Sequence, residues 1–208
     1  MQKIVLFDWN GTLFNDTSVW YDSVKETFRV FGKEAPSLED YIKAFEGDYL
    51  EVYRARGINV SREELNAIYE AYYENHMWRP ELAKNAKNVL RALSDRNIFV
   101  GLITAQPRNL VLPLLEKLEI AHYFRFRSFH CLDKKETIKK VLEIENGLPE
   151  NCFYVGDSPS DIKHAKKAGV KAVAYINGYI PLDLISAAAP DYTINNFSEV
   201  LDIIEKSG

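Results

Sequence analysis

The stretch Lys3-Ile4-Val5-Leu6-Phe7-Asp8-Trp9-Asn10-Gly11-Thr12-Leu13 sets the architecture of this 208-residue chain. Residues 3–9 form a short apolar run rich in β-formers, closed by the turn signal Asn10-Gly11, and this predicts a buried strand. Similar runs follow at 98–104 (IFVGLIT), 152–156 (CFYVG), 171–176 (KAVAYI) and 192–194, with a weaker sixth at 123–129 (YFRFRSF). Helical patterns lie between them, at 83–96, 107–118, 134–146, 160–168 and 198–206. Gly147 and Gly169 are expected to stop helices, and Asp133-x-x-Glu136 to open one as a capping box. Strands alternating with helices of this length predict an α/β fold: a Rossmann-like parallel sheet flanked by helices.

Residues 17–78 break the alternation. They show about three helices (18–31, 38–56 and 62–78), with Ser61-x-x-Glu64 as a capping box for the third. The expected organisation is a core of residues 1–16 and 81–208 with an inserted all-helical cap domain at 17–80. Seven of the twelve tyrosines and two of the three tryptophans lie in this insert. Helix packing is the first reading of that content, and ligand lining the second. The insert leaves the carboxyl end of the first strand, where ligands bind in such folds.

Composition bounds the rest. The chain is 47% hydrophobic, 27% charged and 12% aromatic, enough for a sizeable core. Net charge is −4. Residues 17–80 hold eight Lys and Arg against twelve Asp and Glu, while the remainder balances at 18 of each. No basic stripe announces a nucleic-acid partner. Apolar runs fall short of the roughly 18 residues that span a membrane, and none at the N-terminus has signal-peptide length. Cys131 and Cys152 make no disulfide framework. The expectation is a cytoplasmic, reduced protein, monomer or homodimer.

Three places carry chemistry. Asp8 closes the first strand; alone, it is first a strand-end turn residue. Asp157 closes the 152–156 strand, and Asp161 follows four residues on. Asp161 could merely complement the dipole of its helix. Two acids at one strand mouth facing a third would repel one another unless a cation sat among them, and hard oxygen ligands suit Mg²⁺. Thr104 ends the 98–104 strand, and Lys134-Lys135 open a helix. Singly these are a capping hydroxyl and solvated charges. Together, at one sheet edge, they make an anion site.

In these residues the chain resembles the haloacid dehalogenase-like phosphohydrolases, in the subgroup with a helical cap after the first strand. Four short motifs occur in order: Asp8-Trp9-Asn10-Gly11-Thr12-Leu13, Leu102-Ile103-Thr104, Lys134, and Gly156-Asp157 with Asp161. The segment from Thr104-Ala105-Gln106-Pro107 to Phe124 also looks like the family's connection after the second strand, and the whole is most similar to the phosphoglycolate phosphatase-like branch. The resemblance implies a Mg²⁺-dependent phosphatase acting on a small phosphorylated metabolite. Asp8 would be the nucleophile and form an aspartyl-phosphate. Mg²⁺ would sit on Asp8, the Asn10 carbonyl and Asp157, with Asp161 direct or through water. Thr104, Ala105 and Lys134 would bind the phosphoryl group, with Lys134 preferred to Lys135. From the cap, Tyr49, Arg54 and Arg56 would reach the substrate, beside the loop Phe45-Glu46-Gly47-Asp48-Tyr49. Arg79 is either a hinge residue or a ligand contact.

One position departs from the pattern. Relatives carry Asp two residues after the nucleophile as general acid and base, and here that residue is Asn10. An amide neither protonates a leaving alcohol nor activates water. The expectations are a preference for good leaving groups, a proton from another residue, or a low-turnover or non-catalytic protein that binds a phosphate ligand.

Overall fold

The computed structural model describes residues 2–44 and 48–207. Six strands form one parallel sheet: β1 (Ile4–Phe7), β2 (Phe99–Ile103), β3 (Phe126–Ser128), β4 (Cys152–Gly156), β5 (Lys171–Tyr175) and β6 (Tyr192–Ile194), in the order β3-β2-β1-β4-β5-β6. The expected α/β class and Rossmann-like sheet are what the chain adopts. Every residue of β1, β2 and β4 is buried, as a sheet covered on both faces requires. The register puts Phe7 level with Leu102 on one side and Val155 on the other. The three strands therefore end together. From β1 the sheet grows outward through β2 to β3, then the chain returns to β4 on the other side. That reversal is the switch point where open α/β sheets hold ligands.

The chain divides into two compact units. One runs up to Asn15 and resumes at Glu81; the other is Asp16–Pro80. In the sheet unit, Ile4 and Leu6 on β1 pack with Ile103, Ile138, Val141, Cys152 and Tyr154. Its helices among the described residues include α5 (Ala86–Asp95), α6 (Arg108–Lys117), α7 (Lys134–Glu145), α8 (Pro159–Ala168), α9 (Leu182–Ala187) and α10 (Glu199–Lys206). Where the chain leaves and rejoins this unit the two passes bond to each other, Asn15 N–H to the Glu81 carbonyl and Ala83 N–H to the Leu13 carbonyl, both 2.9 Å.

The helical unit contains α1 (Thr17–Val30), α2 (Leu38–Ala44), α3 (Leu50–Arg54) and α4 (Arg62–His76). Its core is aromatic. Phe28 stacks on Tyr53 at 4.8 Å between ring centres, and Tyr41 meets Tyr53 edge-on. Val24, Leu50, Ile58 and Leu65 complete the cluster. Ser61 caps α4 by accepting the Glu64 N–H at 3.1 Å.

Several local expectations change. The single helix expected over 38–56 does not run through: Asp48 is non-helical, and its carboxylate accepts the Leu50 N–H at 3.1 Å, so α3 starts afresh there. The capping box expected at Asp133 is half made. Asp133 accepts the Lys135 N–H, while Glu136 pairs with the Lys135 ammonium at 2.7 Å. A complete capping box stands at Ser158 and Asp161 instead. After α7 the left-handed residue is Asn146, not Gly147. β3 is shorter than its 123–129 forecast, because Ala121–Tyr123 coils into a 3₁₀ turn.

Candidate active site

The geometry of the site begins at the end of β1. The Asp8 N–H donates to the Val155 carbonyl at 2.9 Å, which carries the β1–β4 pairing one residue further and delivers the Asp8 carboxylate at the sheet edge. The chain then turns back on itself. Phe14 N–H bonds to Trp9 O and Gly11 N–H to Phe14 O, at 2.9 and 2.8 Å, with the Trp9 and Phe14 rings stacked. Asn10 is half-buried in this turn and bridges to Phe14. Gly11 sits at φ +66°, the left-handed region. A Cβ there would stand 2.3 Å from Asp157 Oδ2. The glycine is needed both for the turn and for the approach of Asp157.

Asp157 follows β4 directly, and its Oδ1 accepts from the Thr12 hydroxyl at 3.1 Å. Asp161 lies in the first turn of α8. Its Oδ2 accepts from the Ser158 hydroxyl (2.6 Å) and N–H (3.2 Å), closing the capping box. Oδ1 of Asp161 is thereby turned toward Lys134. The Lys134 Nζ donates at 2.7 Å to both Asp161 Oδ1 and Asp8 Oδ1. All four charged residues are buried. Lys135, the alternative, pairs with Glu136 and lies outside this group. The first residue of α7 thus enters the site and the second faces away.

Burial of so many charges displaces their titrations. Burial is the main force pushing the Asp8 carboxyl up to about 7; Lys134 opposes it and Asp161 adds to it. Asp157 rises well above the usual carboxylate range, first from burial, then from Asp161 and Asp8. For Asp161 burial works the same way, but Lys134 and the Ser158 bonds outweigh it and hold the carboxyl below its ordinary value. Burial also pulls on the Lys134 ammonium, yet Asp161 and Asp8 keep it charged, well above the ordinary lysine range.

Oxygens of Asp8, Asp157 and Asp161 lie within 4.8 Å of one another. Fully ionised, the three carboxylates against one ammonium would leave two excess negative charges in a buried space. At about 4 kcal/mol for two like charges 4 Å apart near a protein surface, that excess calls for a cation. The donors are hard oxygens, and the charge matches a divalent ion. The residues present fit Mg²⁺.

Thr104 follows β2 at the same edge and is fully buried. Its hydroxyl accepts the Gln106 N–H at 3.1 Å, so its proton is the part left to donate to an anionic oxygen. Ala105 beside it is exposed. Tyr49 and Arg54 belong to the helical unit. The Tyr49 hydroxyl donates to Asn66 at 2.6 Å with Arg62 over its ring, and Arg54 pairs with Glu51 at 2.6 Å. Arg56 lies over the Phe28 ring. Of the loop at 45–49, Phe45, Glu46 and Gly47 lie outside the described residues.

Residues that the sequence reading gave no role also shape the site. Thr12 and Asn177 hold Asp157, and Ser158 holds Asp161. Ser158 carried a legible signal, Ser-x-x-Asp ahead of a helix. A lone Asn177 in a loop carried none.

Comparison with known proteins places the whole chain. The sequence profile of a family described as haloacid dehalogenase-like hydrolase matches residues 5–175. The chain is 26% identical to phosphoglycolate phosphatase 1 of Pseudomonas aeruginosa, over all of this chain and 81% of that one. It is 27% identical to a Clostridium perfringens protein provisionally named pyrophosphatase PpaX, over 99% of each. Among solved structures, a haloacid dehalogenase-like family hydrolase from Streptococcus pneumoniae shares the fold with a TM-score of 0.80, at 23% identity over 97% of this chain and 98% of that one.

Proposed function

Because the chain belongs to the haloacid dehalogenase-like hydrolases, we propose that it is a Mg²⁺-dependent phosphatase of a small phosphorylated metabolite, working through an aspartyl-phosphate on Asp8. The observation that carries this reading is the Lys134 ammonium, held at 2.7 Å from both Asp8 and Asp161 inside a buried cluster of three carboxylates. The similar chains named phosphoglycolate phosphatase support a small phosphomonoester as substrate class.

Asp8, Asp157 and Asp161, with the Asn10 carbonyl, would hold the Mg²⁺. When bound, the ion neutralises phosphoryl charge and leaves Asp8 ionised. An oxygen of Asp8 then bonds to phosphorus as the P–O bond to the leaving alcohol breaks. Lys134 keeps Asp8 oriented and offsets the charge on the transferring group. The Thr104 hydroxyl and the backbone at Ala105 bind the phosphoryl oxygens. Water displaces the Asp8 carboxylate in the second step and releases orthophosphate. The Asn10 amide can hydrogen-bond the departing oxygen but gives it no proton, so turnover depends on the leaving group. The complete carboxylate–lysine set supports an enzyme rather than a binding protein. Tyr49 and Arg54 would add substrate contacts from the helical unit. The two cysteines, both free thiols, suit a reducing cytoplasm.

The test is phosphate release from p-nitrophenyl phosphate and a panel of phosphorylated metabolites. We expect release that requires Mg²⁺ and is abolished by Asp8→Ala. Full activity in that variant would refute the covalent route.

A further inference from the structure

Asn177 lies two residues beyond β5, outside the motifs that suggested the function. Its amide is fully engaged at the site. Nδ2 donates to the Gly11 carbonyl at 2.9 Å and to Asp157 Oδ2 at 2.8 Å. Oδ1 accepts the Tyr179 N–H at 2.9 Å. The Tyr179 bond fixes which way the amide faces, since only the oxygen can accept it. The loop is anchored in turn, with Ile176 N–H bonded to the Ile194 carbonyl at 2.9 Å at the end of β6.

Two consequences follow for Asp157. Each of its oxygens holds one donor, Thr12 on Oδ1 and Asn177 on Oδ2. Donors on both oxygens fix the carboxylate plane, and a carboxylate with about four acceptor positions keeps others for a cation. The same amide also ties the turn after β1 to the mouth of β4, because Gly11 and Asp157 share it. A Cβ at residue 11 would lie 3.1 Å from Nδ2 and 2.3 Å from Asp157 Oδ2, so the glycine admits this clamp. A neutral donor suits the task. It steadies the carboxylate without competing for it as a second ammonium would.

We propose that Asn177 is a positioning residue of the cation site: it sets Mg²⁺ affinity by holding Asp157 and the Gly11 turn in register, and does not itself touch the reacting atoms. This rests on the Mg²⁺-dependent reading above. Outer-shell partners of this kind govern about 10–100-fold in metal affinity or activity.

The experiment titrates Mg²⁺ calorimetrically into substrate-free wild type, Asn177→Leu and Asn177→Ser. Melting of the metal-free proteins and phosphate release against Mg²⁺ concentration are measured in parallel. Leu removes the donor at similar volume. Ser folds with less risk but is too short to span both acceptors. We expect Mg²⁺ binding weakened about tenfold or more in both, with the loss of rate largely recovered at high Mg²⁺. Folded variants that bind Mg²⁺ within twofold of wild type overturn the proposal, whatever their melting temperature. Wild type that binds Mg²⁺ but releases no phosphate overturns the phosphatase reading and leaves this one standing. Wild type that binds no Mg²⁺ overturns both.

Discussion

The sheet unit and the helical unit draw on the same charged residue types and use them in opposite ways. At the strand mouths Lys134 joins Asp8, 126 residues away, and Asp161, 27 residues away, in a buried cluster. In the helical unit four pairs are neighbours on one turn, Lys25–Asp22, Arg29–Glu26, Lys43–Glu39 and Arg54–Glu51, and the pair Arg62–Asp48, 14 residues apart, is likewise open to solvent. Exposed neighbours are screened and contribute little. Buried pairs joined across the chain can be assembled only by the fold, and losing one partner strands a charge. The cluster at the strand mouths depends on where single groups are placed.

Lys134 and Lys135 put this contrast into adjacent residues. Lys134→Met removes the partner of two buried carboxylates. We expect kcat/KM to fall by about 10³ or more and the metal-free protein to lose about 3–5 kcal/mol of stability. Lys135→Met breaks only the pair with Glu136 on the surface and should leave kcat/KM within about twofold. Steady-state kinetics on p-nitrophenyl phosphate and denaturant melts of both variants measure this. Equal losses in the two would erase the distinction between buried and local pairs.

Asn10 tests the same unit in the direction of gain. An acid returned to the turn after Asp8 can protonate a leaving alkoxide, a step commonly contributing about 10²–10⁴ in rate. We expect Asn10→Asp to raise turnover of alkyl phosphates by about 10²-fold and that of p-nitrophenyl phosphate far less, because nitrophenolate leaves without a proton. The measured quantity is the ratio of the two gains. A ratio near one, in a folded variant, would mean that another group already supplies the proton.

What the sequence disclosed follows the division between local and assembled structure. β1, β2, β4 and β5 were legible because strands covered on both faces are continuous apolar runs. Their shared end placed Asp8, Thr104 and Asp157 at one edge. The interruption at Asp48 was hidden, because a hydrophobic pattern runs on through a carboxylate that caps the next N–H. The six-residue helix Leu182–Ala187 was missed because it is too short to show a helical period. Asn177 was illegible for a deeper reason. Its partners, Gly11 and Asp157, are 166 and 20 residues away, and nothing local marks an asparagine as bridging them.

Arg54 bears on whether the helical unit contributes to the site at all. Its guanidinium pairs with Glu51 on an exposed helix face, the local arrangement that Lys25, Arg29 and Lys43 also make in that unit. A screened contact made equally in the bound and transition states changes KM and leaves kcat alone. Exposed charge contacts are worth about 0.2–1 kcal/mol, so Arg54→Ala should raise KM for the preferred substrate by about 1.4- to 5-fold with kcat constant. The panel substrate with the highest kcat/KM is the one to use. An unmoved KM would confine recognition of the phosphate to the strand mouths. A fall in kcat would instead give the arginine a part in the chemistry, and the contrast between the two units would then have to be redrawn.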